Sequence, residues 1–285
     1  MPGKLAILLK GCTILFLGIS FYARAENVEG LVVSTHSDSD ITSTSTNSFL
    51  TDGTLKFSTG FDYSSGMYGN IEETEIWYVP VSMSYQLKQW KTSVSIPWVQ
   101  ITGPGGITAE GEIINLETKT GSVSTESGLG DIVGSLTYSF DSFGSNLPLV
   151  DVTAKIKFPI ADENKGLGTG EFDYTIQGDI FKPLGNLTLL GTLGYKFKGD
   201  PPGSDLNDVI KASAGMNYKF NDQYSSGILL DFQEATSRNS EDTIDLFAYL
   251  TWKINRSISL TGYGATGFTD GAPAKEIGLQ VGYKL

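Results

Sequence analysis

The sequence predicts an all-β fold, a transmembrane antiparallel β-barrel of about 12 strands preceded by a cleaved signal peptide. Hydrophobic residues make up 40% of the 285 residues, yet they never form an uninterrupted run long enough for a helical membrane span. From residue 54 to the C-terminus, apolar and polar side chains alternate with the period of two that β-strands have. The chain also contains 34 glycines, a share well above the usual roughly 7%, and glycine disfavours helices.

Residues 1–25 have the three parts of a secretory signal peptide. Lys4 and Lys10 precede an uncharged, mostly apolar run, and the segment ends with Ala23-Arg24-Ala25, which has the small-residue spacing of a cleavage site. The run is shorter than the about 20 residues that a helical span needs. Lipidation of Cys12 is a weaker alternative, because Lys10 interrupts the apolar stretch before it. We therefore expect cleavage after residue 25.

Residues 26–53 form a polar segment before the first predicted strand. It contains two runs rich in serine, threonine and aspartate, at 34–40 and 42–48. Its low hydrophobicity is typical of segments that build no packed core of their own. We interpret it as an N-terminal arm or a plug of the barrel lumen.

Twelve alternating segments follow and define the barrel at residues 54–285. In the last of them Ile277, Leu279 and Val281 share one face, and Gly278 and Gln280 share the other. Most are longer than the about 5–6 residues of a soluble strand and match the roughly 9–11 tilted residues that cross a bilayer. Ten or fourteen strands are the alternatives. The predicted strands are 54–64, 74–87, 90–101, 128–140, 148–160, 170–182, 187–199, 207–220, 224–235, 241–254, 257–268 and 274–285.

The connections distinguish a membrane barrel from a soluble β-sandwich, which would show the same alternation. Short and mostly longer connections alternate along the chain, as in bacterial barrels with short periplasmic turns and long extracellular loops. An even number of strands then places both termini on the periplasmic side. The short connections are 88–89, 141–147, 183–186, 221–223 and 255–256, and the alternate set is 65–73, 102–127, 161–169, 200–206, 236–240 and 269–273.

Aromatic side chains lie near several strand ends on the apolar face, as the girdles of a membrane barrel do. The chain also ends in alternating apolar residues from Gly278 to Leu285, which resembles the C-terminal β-signal of outer-membrane proteins, although that signal more often ends in phenylalanine. Both features favour the bacterial outer membrane, with its lipid against the apolar face. The predicted girdle residues are Trp98, Phe140, Phe158, Phe172, Trp252 and Phe268.

Few side chains could carry catalysis or hold a metal. The single cysteine, Cys12, lies in the signal peptide and the single histidine, His36, lies in the arm, so the chain offers no disulfide framework and no zinc cluster. Serine hydrolysis needs a histidine held beside the serine. The acidic stretches 36–40 and 162–164 lack the spacing of a calcium loop. We predict no enzymatic activity, metal or cofactor, and the net charge of −12 argues against nucleic acid as a partner.

The polar face of the predicted strands carries charges of both signs. Such a face lines either a wet pore, in which opposed charges sort solutes, or a closed interior filled with ion pairs. Arginines suited to acidic sugars are scarce, because only Arg238 and Arg256 follow the signal peptide, both between strands. The candidate pore-lining residues are Lys155, Lys157, Lys196, Lys198, Lys211, Lys219, Asp131, Asp151, Glu171, Asp173, Asp179, Asp231 and Asp245.

Two motifs near the middle of the chain have the form of a family signature. Gly128-Leu-Gly-Asp131 opens a predicted strand, and residues 155–162 are followed after a short loop by Leu167-Gly-Thr-Gly170-Glu-Phe-Asp173. They resemble the G-L-G-D and K-x-P-T-G-D … L-G-T-G-x-x-D motifs of the outer-membrane transporters called "meta-pathway of phenol degradation" proteins, with Ile160-Ala161 in place of Thr-Gly. The resemblance is close over residues 128–180 and implies a channel for small, often aromatic, compounds.

We therefore interpret the protein as a monomeric outer-membrane channel for the passive uptake of small solutes. Loop 102–127, the longest connection, is expected to act as a constriction or lid. The alternative is a non-conducting structural or adhesive barrel that binds a partner through loops 65–73 and 102–127.

Overall fold

The chain forms thirteen β-strands and one 3-10 turn in a computed structural model, which describes residues 53–69, 72–111, 123–142, 144, 147–238 and 240–285. The predicted signal peptide and residues 26–52 of the predicted arm lie outside these ranges. Within them, no helix has the length and apolar character to cross a membrane. The strands are β1 (Thr54–Gly66), β2 (Thr74–Leu87), β3 (Trp90–Gly103), β4 (Ser124–Leu129), β5 (Ile132–Ser139), β6 (Leu149–Phe158), β7 (Asp173–Leu184), β8 (Leu187–Phe197), β9 (Val209–Lys219), β10 (Tyr224–Gln233), β11 (Thr243–Lys253), β12 (Ile258–Gly267) and β13 (Lys275–Lys284), and the 3-10 turn is Glu163–Lys165.

The strands close into an antiparallel barrel. Apart from β4 and β5, which do not pair with each other, consecutive strands pair along the chain, and β13 pairs with β1 to complete the ring. Strands β4 and β5 both pair with β3. The second half of β3 pairs with β4 and the first half of β3 pairs with β5, so β4 and β5 together occupy one strand position. The barrel therefore has twelve positions, which confirms the predicted fold and strand number. The pairing of β1 with β13 closes the ring, as a barrel in a bilayer requires.

The prediction of one continuous strand at 128–140 was wrong in two respects. The observed segment begins at Ser124, and it is interrupted at Gly130 and Asp131. Between the cross-strand pairs Ser95–Val133 and Trp98–Leu129, β3 has two residues, whereas the facing segment has three. The extra residue makes a one-residue β-bulge. The bulge lies opposite Pro97, which has no N–H for the ladder, and Gly130 N–H donates to the Pro97 carbonyl at 3.0 Å. The other predicted strand ends agree with the structure within three residues.

Side chains on the strands alternate between the lipid-facing surface and the lumen. Outward residues are large, apolar and exposed, as at Val81, Leu193 and Ile277, whereas the inward neighbours Ser82 and Glu276 are buried. Outward aromatic side chains contact one another near both ends of the barrel, at Trp90–Tyr138–Phe140 and Tyr224–Trp252 on one end and at Phe61–Trp77 and Phe158–Phe172–Tyr174 on the other. This is the arrangement of two interfacial girdles.

The two ends of the barrel differ in their connections. One end, here the turn end, carries 88–89, 140–148, 185–186, 220–223 and 254–257, together with Gly53 and the C-terminus. The opposite end, here the loop end, carries 67–73, 104–123, 159–172, 198–208, 234–242 and 268–274. The predicted asymmetry between short and long connections is therefore present.

Candidate functional site in the barrel lumen

At the loop end, three lysines converge on one carboxylate. Asp173, the first residue of β7, lies 3.1 Å from Lys157 Nζ on β6 and 3.1 Å from Lys196 Nζ on β8. Lys198 Nζ, just after β8, lies 2.9 Å away, and Gly199 N–H donates to the other Asp173 oxygen at 3.1 Å. Adjacent strands place these side chains together because all of them have inward parity at the same end of the barrel.

The strand bulge adds a second carboxylate to this group. Asp131 Oδ2 lies 3.4 Å from Lys157 Nζ, and Asp131 Oδ1 accepts a hydrogen bond from Ala161 N–H at 2.9 Å. Lys157 also donates to the Thr169 hydroxyl at 3.2 Å. In a regular strand, successive side chains point to opposite faces, whereas here Leu129 and Ile132 both face outward across the bulge. The extra residue is what turns Asp131 into the lumen.

The third carboxylate comes from the connection between β3 and β4. Glu110 Oε2 lies 2.6 Å from Lys196 Nζ, although Glu110 follows β3 and Lys196 belongs to β8, four strand positions away around the barrel. Ile107 and Ala109 of the same segment are buried against Tyr78 and Val99, which are inward residues of β2 and β3. Residues 104–111 therefore fold into the lumen, held by apolar packing on one side and an ion pair on the other.

These six residues form the loop-end ion cluster, which consists of Lys157, Lys196, Lys198, Asp131, Asp173 and Glu110. All of them are nearly excluded from solvent, with side-chain exposures of at most 6% for each ion-paired group. Three positive and three negative charges balance. The balance is needed because removing a charge from water costs several kcal/mol, and attraction to a well-placed opposite charge offsets a similar amount. The cluster is stable as a set and sensitive to the loss of any member.

Two further pairs of predicted residues meet across neighbouring strands. Asp151 and Asp179 are direct partners on β6 and β7, and Asp231 and Asp245 are direct partners on β10 and β11. All four are buried. Asp179 accepts hydrogen bonds from Thr192 Oγ1 at 2.7 Å and Gln177 Nε2 at 3.0 Å. Each pair therefore places two buried carboxyl groups side by side on the inward face of the wall.

The remaining predicted residues do not join the cluster. Lys155 and Lys211 have inward positions on β6 and β9, with Lys211 nearly buried. Lys219 lies at the turn end, where it pairs with Asp222 at 2.7 Å. Glu171 was predicted on a strand but lies in the connection before β7, because that strand begins only at Asp173.

An apolar patch interrupts the polar lumen. Leu229, Phe247, Tyr249 and Tyr263 pack together on the inward faces of β10 to β12, with Leu190 against them. Tyr249 Oη donates to Asn217 Oδ1 at 2.8 Å. A Cβ atom at Gly227 or Gly278 would overlap the ring of Tyr249 or Tyr263, respectively, so these glycines make room for the rings. Neither this patch nor the position of Glu110 follows from the alternation, and the glycines opposite the two tyrosines are the signal that could have revealed the patch.

His36 lies outside the described residues. Across the ranges that the structure describes, no three histidine, cysteine, aspartate or glutamate side chains form a group that could hold a metal ion.

Solved structures with a similar fold include several outer-membrane barrels. A crystal structure of an outer membrane channel from Pseudomonas putida F1 is 14% identical, with a TM-score of 0.56 over 82% of this chain and 94% of that one. The NanC porin is 11% identical, with a TM-score of 0.53 over 81% and 100% of the two chains. The β domain of the Bordetella autotransporter BrkA is 11% identical, with a TM-score of 0.50 over 82% and 100%.

At these identities the likeness concerns the fold alone. No family model matches the sequence. No curated protein matches it either. The resemblance to the phenol-degradation transporters therefore stays a prediction, while the architecture is that of outer-membrane β-barrels.

Proposed function

We propose that the protein is a channel in the bacterial outer membrane through which small solutes pass by diffusion. The apolar outward face and its aromatic girdles suit a lipid environment, and the polar inward face suits water and solutes. The loop end then faces the exterior and the turn end faces the periplasm, as the direction of secretion predicts.

The observation that carries this proposal is the inward fold of residues 104–111. A loop that leaves the rim and binds the far wall through Glu110 and Lys196 narrows the lumen at a defined height. Residues 104–111 lie inside the lumen, so they cannot serve an adhesive barrel by contacting a partner outside. A channel gains a constriction lined by fixed charges, which is how pores select solutes.

Small aromatic or hydrophobic compounds are the solute class that we propose. The sequence resemblance to the phenol-degradation transporters suggests this class, and the patch of Leu229, Phe247, Tyr249 and Tyr263 supports it. Aromatic side chains offer flat apolar surface to a ring in an otherwise polar lumen. Opposed lysines and carboxylates elsewhere along the lumen would keep the path wetted. We further propose that the barrel acts as a monomer without enzymatic activity.

The purified protein should produce discrete conductance steps in a planar lipid bilayer. A water-filled path through the lumen conducts ions even when its biological solute is uncharged, so salt current is the direct readout. A liposome-swelling assay with phenol-sized solutes and matched sugars would then test the solute class. A folded barrel that neither conducts nor admits any solute would contradict the channel and leave the adhesive barrel as the better explanation.

The Lys155→Glu substitution should shift ion selectivity toward cations. Lys155 faces the lumen but lies outside the loop-end ion cluster, so the change alters the charge of the path without breaking the constriction. We expect the cation-to-anion permeability ratio, measured from reversal potentials, to rise roughly two-fold or more. Lys165→Glu, at an exposed position in the 159–172 connection, is the matched control and should leave the ratio near that of the parent. Equal shifts in both variants would mean that Lys155 does not line the path.

A further inference from the structure

A second connection at the loop end also reaches into the lumen. In residues 159–172, between β6 and β7, the 3-10 turn Glu163–Lys165 is exposed, whereas Leu167 and Thr169 are only 1% and 3% exposed. Gly168 between them is buried as well. We call residues 167–169 the inward tip. The connection therefore has an outer turn in solvent and an inner part that is packed against the rest of the barrel.

The inward tip lies against the β-bulge, and its packing leaves no room for a side chain at its centre. A Cβ atom at Gly168 would lie 2.8 Å from the Ala161 Cβ atom and 2.9 Å from Asp131 Oδ2. A Cβ atom at Gly128 would lie 2.9 Å from Leu167 Cδ1. Atoms this close overlap, and a well-packed interior does not absorb such an overlap without movement. The bulge that turns Asp131 into the lumen is therefore also the seat of the inward tip.

An apolar core joins the inward tip to residues 104–111. Leu167 and Ala161 belong to the same buried cluster as Ile107 and Ala109. Withdrawing either segment from the lumen would expose apolar surface of the other, which is unfavourable in proportion to the area exposed. Each segment therefore stabilises the inward position of the other.

The loop-end ion cluster connects the same two segments by a second route. Lys157 donates to the Thr169 hydroxyl at 3.2 Å. Asp173 lies 3.1 Å from Lys157 Nζ and 3.1 Å from Lys196 Nζ. Lys196 Nζ also lies 2.6 Å from Glu110 Oε2. Because charges in one buried network are energetically coupled, a change at Glu110 acts on the lysine that contacts the inward tip.

We propose that the inward tip and residues 104–111 form a single gate, in which Asp131 and Gly168 position the tip and neither segment moves outward alone. The competing arrangement is two loops that move independently. The single gate is favoured because the apolar core and the ion network each contain residues of both segments. The consequence for solutes rests on the proposed channel, whereas the coupled movement does not.

Spin labelling tests the coupled movement without reference to conduction. Cys12 is the only cysteine of the sequence and lies in the predicted signal peptide, so Asn164→Cys gives the mature chain one labelling site, on the exposed turn before the inward tip. In lipid vesicles, we expect Glu110→Gln to shift the electron paramagnetic resonance spectrum of this label from that of an immobilised nitroxide toward that of a mobile one. Replacing residues 104–111 by a short glycine-serine link should produce a larger shift.

A label at Glu241→Cys, on the exposed 234–242 connection, is the control and should respond to neither change. If the label at residue 164 also responded to neither change, the proposal would be overturned. A response at residue 164 in a barrel that never conducts would refute the channel and leave the coupled movement standing.

Single-channel recording tests the gate from the side of the inward tip. Gly168→Ala should increase the time at a higher conductance level, because the added Cβ atom displaces the tip. Thr169→Val removes the hydroxyl that Lys157 contacts and is the second variant, with the same expected direction, for the case that Gly168→Ala does not fold. Gly178→Ala is the matched control, because a Cβ atom there meets nothing within 4 Å.

The combination of Glu110→Gln with Gly168→Ala distinguishes one gate from two. The measured quantity is the ratio of time at the higher level to time at the lower level. In a single gate the double variant should change this ratio by less than the product of the two single changes, since coupled residues commonly deviate from additivity by roughly two- to hundred-fold. Single changes that simply multiply would show two independent loops and overturn the proposal.

Discussion

Replacing Asp173 by asparagine is expected to lower the free energy of unfolding of the barrel by about 3–5 kcal/mol, the usual cost of removing one partner from a buried ion pair. Asparagine keeps the size of the side chain but removes the charge that lies within 3.1 Å of three lysine Nζ atoms. Asp131 and Glu110 would then face three buried lysines with only two negative charges. The excess cannot be screened by water, because these side chains are almost fully buried.

Urea unfolding in lipid vesicles, followed by tryptophan fluorescence, measures this loss, and the heat-dependent shift of the folded band in gel electrophoresis gives a second readout. Asp222→Asn is the matched control, since it also breaks a lysine–carboxylate pair but at an exposed turn. Exposed pairs contribute about 0–1 kcal/mol, so the control should unfold close to the parent. Similar effects from the two substitutions would show that the lumen around Asp173 is wet rather than closed.

The pattern of the strands was predictable because it depends on local sequence. The bounds of β2, for example, follow directly from the alternation between residues 74 and 87, and the inward parity of Lys157 and Asp173 follows from the same rule. Their convergence with Lys196 did not follow, because contacts across strands depend on register, and register depends on the turns and the bulge at Gly130. The register between neighbouring strands therefore cannot be deduced from the sequence of each strand taken separately.

Two parts of the candidate site could not be predicted from the period of two alone. Glu110 belongs to a connection without regular structure, and the sequence of such a segment does not predict which strands it will contact. Phe247 and Tyr249 share the inward face of β11 with Asp245, so the alternation placed them inside the barrel but gave no reason to expect an apolar patch there. Their partners, Gly227 and Tyr263, lie on other strands, and only the assembled barrel brings them together.

The second large effect is expected at the constriction itself, from Glu110→Gln. The substitution removes one charge from the 2.6 Å pair with Lys196, while the apolar packing of Ile107 and Ala109 remains. Truncating a buried charge pair costs about 2 kcal/mol or more, which corresponds to a roughly 30-fold change in an equilibrium. The inward position of the loop should therefore lose most of its advantage over outward positions.

Single-channel recording resolves this shift, because an inward and an outward loop give different currents. We expect Glu110→Gln to spend much more time at a higher conductance level than the parent does. Glu163→Gln removes a carboxylate from an exposed loop at the same end and should change neither level nor dwell time. Replacing residues 104–111 by a short glycine-serine link should fix the high level, since it removes both the ion pair and the apolar packing. If that variant kept the parent conductance, the narrowest point would lie elsewhere, and the apolar patch around Phe247 and Tyr249 would be the next place to measure.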